Sequence, residues 1–158
     1  MSQKQLAVLL KAIIVGLTVC GVLVCVFLIP YFADSVLKNS HLSAWYWYWI
    51  SVVYIAIAPC FIVLFLVWKI AVSIEQDQSF TKRNARLLKH ISYISLSDSA
   101  FFLVIHIIFA LLNMSHPSIF FTGVLVSFVG IAFTVVTAAL SHLVSKASDI
   151  REENEYTI

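Results

Sequence analysis

Asp98 is the one acidic residue inside a long apolar run of this chain. Ser95, Ser99 and Phe102 share its helical face, and His106 follows about two turns later. A carboxyl group in such a setting supports two readings. It could be a proton or cation site, with His106 or His142 as relay. It could instead be a hydrogen-bonded anchor between helices, held by the hydroxyls of Thr134, Thr137 and Ser141. Either way it should face the interior of a bundle, because a carboxylate at mid-helix costs about 2.5–3.5 kcal/mol on insertion scales.

A second group is basic. Lys82, Arg83, Arg86 and Lys89 fall within Glu75–Lys89, the longest polar stretch of the chain, which separates two hydrophobic halves. Lys82 and Arg83 would lie in the first turn of a helix, at the unfavourable end of its dipole. An anion should compensate them. Membrane phosphates are one source, and the acidic tail with Glu152, Glu153, Asn154 and Glu155 is another. Thr81 is placed to cap that helix through the backbone N–H of Arg83 or Asn84, with Asn84 returning a bond as in a capping box. Phe80 would tuck its ring into the interface.

Other chemistry is not encoded. There is no G-x-S-x-G, H-E-x-x-H or phosphate-binding glycine loop. His41, His90, His106, His116 and His142 are scattered. Cys20, Cys25 and Cys60 lie in apolar runs with no C-x-x-C spacing, and read as small packing residues rather than a redox or metal site. Neither an enzyme nor a cofactor or metal is expected. The net charge of +2 argues against direct nucleic-acid binding.

The elements that position these residues follow from composition. The chain has 158 residues, 61% hydrophobic and 11% charged. A soluble domain is about 45–50% apolar and about 25% charged. The expected fold is all-α, a single four-transmembrane-helix bundle. Its spans run over about residues 12–32, 45–74, 91–113 and 119–144, with a polar segment at 75–90 and a tail at 145–158. Trp45, Tyr46, Trp47, Tyr48 and Trp49 suit the headgroup level, with a cage for a cationic ligand as the other use of such a run. Pro59 should bend the second span. Gly123, Ser127, Gly130, Thr134, Thr137, Ser141, Ser145 and Ser148 recur at steps of three and four. They form one small-residue face, read as a packing seam against the Asp98 helix, or as the lining of a water-filled channel.

Of the ten lysines and arginines, all but Lys38 fall on the side of the N-terminus, the middle segment and the tail. That bias predicts a multi-pass cell-membrane protein with both termini cytoplasmic.

Two short stretches carry a resemblance. Phe80, Thr81, Asn84 and Leu88 match a Pro-Phe-Ser/Thr-x-x-Asn-x-x-x-Leu segment, with Ser79 in place of the proline. Glu153, Asn154, Thr157 and Ile158 match a Glu-Asn-Asp-Leu-Thr-Ile-like end, with Glu155 and Tyr156 departing from it. In these the chain resembles domain-of-unknown-function family 2975, small bacterial four-span membrane proteins. The resemblance implies a partner rather than an activity, because the family's genes commonly sit beside a small helix-turn-helix DNA-binding regulator. The expected function is thus a regulator that binds or restrains such a protein. The alternative is a small transporter using Asp98. Membrane lipids and a second copy of the chain complete the candidate partners.

Overall fold

The computed structural model describes residues 3–35 and 43–156, with side chains to Asn154. Sequence expectations for Lys38, His41 and the side chains of Glu155 and Tyr156 lie outside the described residues. No strand occurs among the described residues. The helices are α1 (Gln3–Leu23), α2 (Ile29–Ala33), α3 (Tyr46–Glu75), α4 (Lys82–Leu111) and α5 (Pro117–Tyr156). A π-helical turn, Val24–Leu28, joins α1 to α2, so these read as one spanning rod. Among the described residues, four helical stretches are long and apolar enough to cross a membrane: Gln3–Ala33, Ser43–Glu75, Lys82–Leu111 and Pro117–Asn154. The chain is an all-α, four-helix transmembrane bundle. Large apolar side chains such as Phe27, Phe65, Phe128 and Val135 are exposed along its flanks, the surface that lipid covers.

The π turn has a local cause. Pro30 offers no N–H and its ring crowds the carbonyl four residues earlier. The Ile29 N–H shifts to Val24 O, five residues back. Cys25 O is thereby left without a helical donor, and the Tyr54 hydroxyl from α3 supplies one at 2.8 Å. The proline defect of the first span is repaired by the second.

The helices pack as two pairs. α4 and α5 make the most extensive contact, α1 packs on α3, and α3 on α4. The α4–α5 seam rests on a seven-residue repeat. Ala85, Ser92, Ser99 and His106 of α4 are buried, as are Ser127, Thr134, Ser141 and Ser148 of α5. Such a repeat keeps two helices in register as a left-handed pair. Side chains of α4 press directly onto the two glycines of α5. A methyl group on Gly123 would overlap the His106 ring, and one on Gly130 would overlap the Ser99 side chain. The small-residue face is therefore a packing seam, closest at Gly123 and Gly130, where the opposing side chains leave no room for a Cβ.

The aromatic run divides. Trp47 and Tyr48 are exposed, as membrane-interface residues are. Trp49 instead turns inward. It donates from Nε1 to Met114 O at 2.8 Å and meets Phe109 and His106 edge-on. It belongs to the small core with Ala33, Phe109 and Met114 that closes one end of the bundle. Cys20 and Cys60 are exposed rather than buried in packing, and Cys60 opens onto a crevice between the helices.

Candidate functional site

The polar end of the bundle gathers the ends of four elements. Lys11 of α1 pairs with Glu75 of α3 at 2.5 Å, and Ser79 donates to Gln3 Oε1 at 3.1 Å. The loop between α3 and α4 turns at Asp77, whose φ of 59° lies in the left-handed region that Asp and Asn tolerate best. α5 runs past the apolar core, so residues 145–156 form about 18 Å of helix beyond it.

Asn84 locks this loop. It is only 1% exposed. Its Nδ2 group donates to Ser73 Oγ at 3.0 Å, Gln78 O at 2.9 Å and Ser79 O at 3.0 Å. The Ser73 hydroxyl in turn donates to Gln78 O at 2.9 Å. All three acceptors need a donor, so the amide must point its nitrogen at them, and Oδ1 is left buried without a partner. Thr81 caps α4 by accepting from the Asn84 backbone N–H at 3.3 Å. The reciprocal capping-box bond is not made. The Asn84 side chain is drawn away by the turn that packs over it. Thr81 and Asn84 were expected on a binding surface, and the structure uses both to hold the loop instead.

The four basic residues split by direction. Lys82 reaches α5, pairing with Glu152 Oε2 at 2.6 Å and Asp149 Oδ1 at 3.5 Å. The hydrogen bond and charge of Glu152 raise the Lys82 pKa above its ordinary value, with a smaller contribution from Asp149. The two carboxylates also supply the negative charge that the start of α4 favours. Asp149 is a tail residue that the sequence reading passed over. Its i, i+3 spacing to Glu152 on a continuous helix was the available signal. Arg86 and Lys89 face a groove between α4 and α5 of about 500 Å³. Arg83 is exposed and does not line that groove, and Phe80 is 54% exposed. Glu153 and Asn154 lie on the last turns of the described α5 side chains.

The intramembrane polar residues are not assembled as expected. Thr134 donates to Gly130 O at 3.0 Å, Thr137 to Phe133 O at 2.9 Å, and Ser141 across the seam to Ala85 O at 2.7 Å. Among the described residues no hydroxyl donates to Asp98. For Thr134 and Thr137, a carbonyl in the same helix is local and always within reach, whereas Ser141 is taken up by a backbone carbonyl of α4. Asp98 lines an apolar crevice of about 640 Å³ with Cys60, Ser99 and Ser127. His106 lies in a different cavity, of about 610 Å³. Its Nδ1 is engaged with Phe102 O at 2.8 Å, so that nitrogen carries the proton. His142 sits in the groove at the polar end. The three groups form no continuous relay.

Comparison with known proteins fits this architecture. The family described as protein of unknown function (DUF2975) matches residues 31–158. The chain belongs to that family. Both motifs of the DUF2975 resemblance lie in the matched region, and the structure gives the first a physical role, as the cap and lock of the α3–α4 loop. The chain is 25% identical over 158 residues to the uncharacterized membrane protein YoaS of Bacillus subtilis (strain 168), covering 98% of this chain and 99% of that one. No solved structure matches it.

Proposed function

We propose that this DUF2975 chain is a non-enzymatic membrane regulator that holds a cytoplasmic protein against the polar end of its bundle. The observation that carries the reading is the build of that end. A loop fixed by Asn84 and a projecting helix tied back through Lys82 and Glu152 give a preordered platform, from which Phe80 and Arg83 stand out. Preordering lowers the entropic cost of docking a partner. The opposite end of the α4–α5 hairpin has only the tight turn Leu112–His116. The excess of basic residues at the platform supports its cytoplasmic placement. A small helix-turn-helix DNA-binding protein is the partner that the family resemblance implies.

The test is co-purification of the chain with a small helix-turn-helix DNA-binding protein co-expressed from the same source, using the intact chain and Phe80→Ala/Arg83→Glu. Capture by the intact chain and its loss in the variant supports the reading. Absence of capture by the intact chain overturns it. A second reading, a proton- or cation-coupled transporter, is favoured by Asp98 in its crevice. Under that reading Asp98→Asn abolishes ion-coupled flux in proteoliposomes, whereas under the first it leaves capture intact.

A further inference from the structure

We propose that the groove between α4 and α5 at the polar end binds the phosphate headgroup of an anionic membrane lipid. Lys82, Arg86, Lys89 and Tyr93 step along α4 by four, three and four residues, so they share one face. His142 and Ser145 of α5 form the opposite wall. Among the described residues no carboxylate lines the groove. Asp149 and Glu152 engage Lys82 at its outer end, whereas Arg86 and Lys89 have no ion-pair partner among the described residues. The Arg86 guanidinium presents the planar fork that grips two phosphate oxygens at once. Lys89 Nζ rests 5.8 Å from the Tyr93 ring centroid, and both residues line the groove. Ser145 and Tyr93 add hydroxyl donors, but Ser141 does not, since its proton goes to Ala85 O.

Depth and surroundings favour a lipid over a soluble anion. The groove straddles the level where α4 passes from charged to apolar sequence. One turn deeper on the same faces, Leu96 follows Tyr93 and Val135 precedes Ala138, and both are exposed. A phosphate above and acyl chains below match that order of surfaces. Basic pockets between spanning helices are where acidic headgroups are held. This site is separate from the partner reading, which uses Phe80 and Arg83.

The experiment is native mass spectrometry of the purified, delipidated full chain titrated with phosphatidylglycerol or phosphatidylcholine. Phosphatidylglycerol is expected to bind selectively. Each basic residue near an anionic headgroup is worth roughly a fivefold change in affinity, so Arg86→Gln/Lys89→Gln should weaken binding roughly 25-fold. Ser145→Asp, which places a carboxylate in the groove, should do at least as much. Arg83→Gln/Lys146→Gln, with the same charge removed outside the groove, should stay within about twofold. Equal loss in that control would reveal diffuse attraction and overturn the site. So would equal binding of the two lipids, or displacement of phosphatidylglycerol by inorganic phosphate, which would assign the groove to a soluble anion.

Discussion

Replacing Asn84 separates a loop lock from a binding residue. In Asn84→Ala two amide hydrogens that serve three acceptors are lost. Each net hydrogen bond is worth about 0.5–1.5 kcal/mol, so the loss is about 1–3 kcal/mol. Removing the unpartnered Oδ1 returns part of this, since a buried orphan acceptor costs about 1–3 kcal/mol. The net expected destabilisation is therefore modest, about 1–2 kcal/mol. Asn84→Asp has nearly the same shape but turns a donor into an acceptor. It sets a carboxyl group against Gln78 O, Ser79 O and Ser73 Oγ, and should cost more than alanine does. The assay is unfolding in mixed micelles, together with limited proteolysis of the loop between α3 and α4. The order wild type, alanine, aspartate in stability, with the loop cut faster in both variants, is the expected result. Unchanged stability and unchanged loop cleavage in Asn84→Ala would refute the lock.

Gly123→Ala drives a methyl group into the His106 ring and should cost about 1–3 kcal/mol. The same change in a His106→Ala background should cost far less, which a double-mutant cycle of unfolding free energies measures. Trp49→Phe keeps the ring contacts but loses the bond to Met114 O, for an expected loss of about 1 kcal/mol in the same assay. Glu152→Lys should release the end of α5, read as faster protease clipping near Asn154, and Lys82→Glu in the same chain should restore protection. Because the Lys82 pKa is raised on folding, its tie to the tail is fully present below the ordinary lysine pKa of 10.5. It is lost as pH climbs through the higher folded value, so clipping should be flat near neutrality and rise only in strong base. Cysteines placed as Ser79→Cys and Ser115→Cys should label from opposite sides of intact cells, the first only after permeabilisation.

Much of the fold was legible because membrane helices announce themselves by length and apolarity, and because the steps of Gly123, Ser127 and Gly130 trace one face. The Thr81 cap was legible because its signal is local. The role of Asn84 was not. Its partner Ser73 is 11 residues away across a turn whose course depends on the left-handed Asp77. Trp49 was misplaced for a related reason. Composition marks an aromatic run as interfacial, but only the helix phase decides which ring turns inward to Met114 O. The expected hydroxyl partners of Asp98 failed because chemical type says nothing about competing acceptors: Thr134 and Thr137 bond carbonyls four residues back, and Ser141 bonds Ala85 O across the seam. The basic cluster looked like one patch in the sequence. Helical geometry divides it into a tail contact through Lys82, a groove at Arg86 and Lys89, and the outward Arg83.

The interlocked sevenfold spacing of α4 and α5 limits how the chain can change length. Adding one residue between Ser99 and His106 would rotate everything beyond it by about 100°, turning His106 off the glycine that receives it. Adding seven would restore the matching faces while lengthening the rod by about 10 Å. Insertions and deletions in these two helices should therefore be tolerated in whole heptads, and matched between the two.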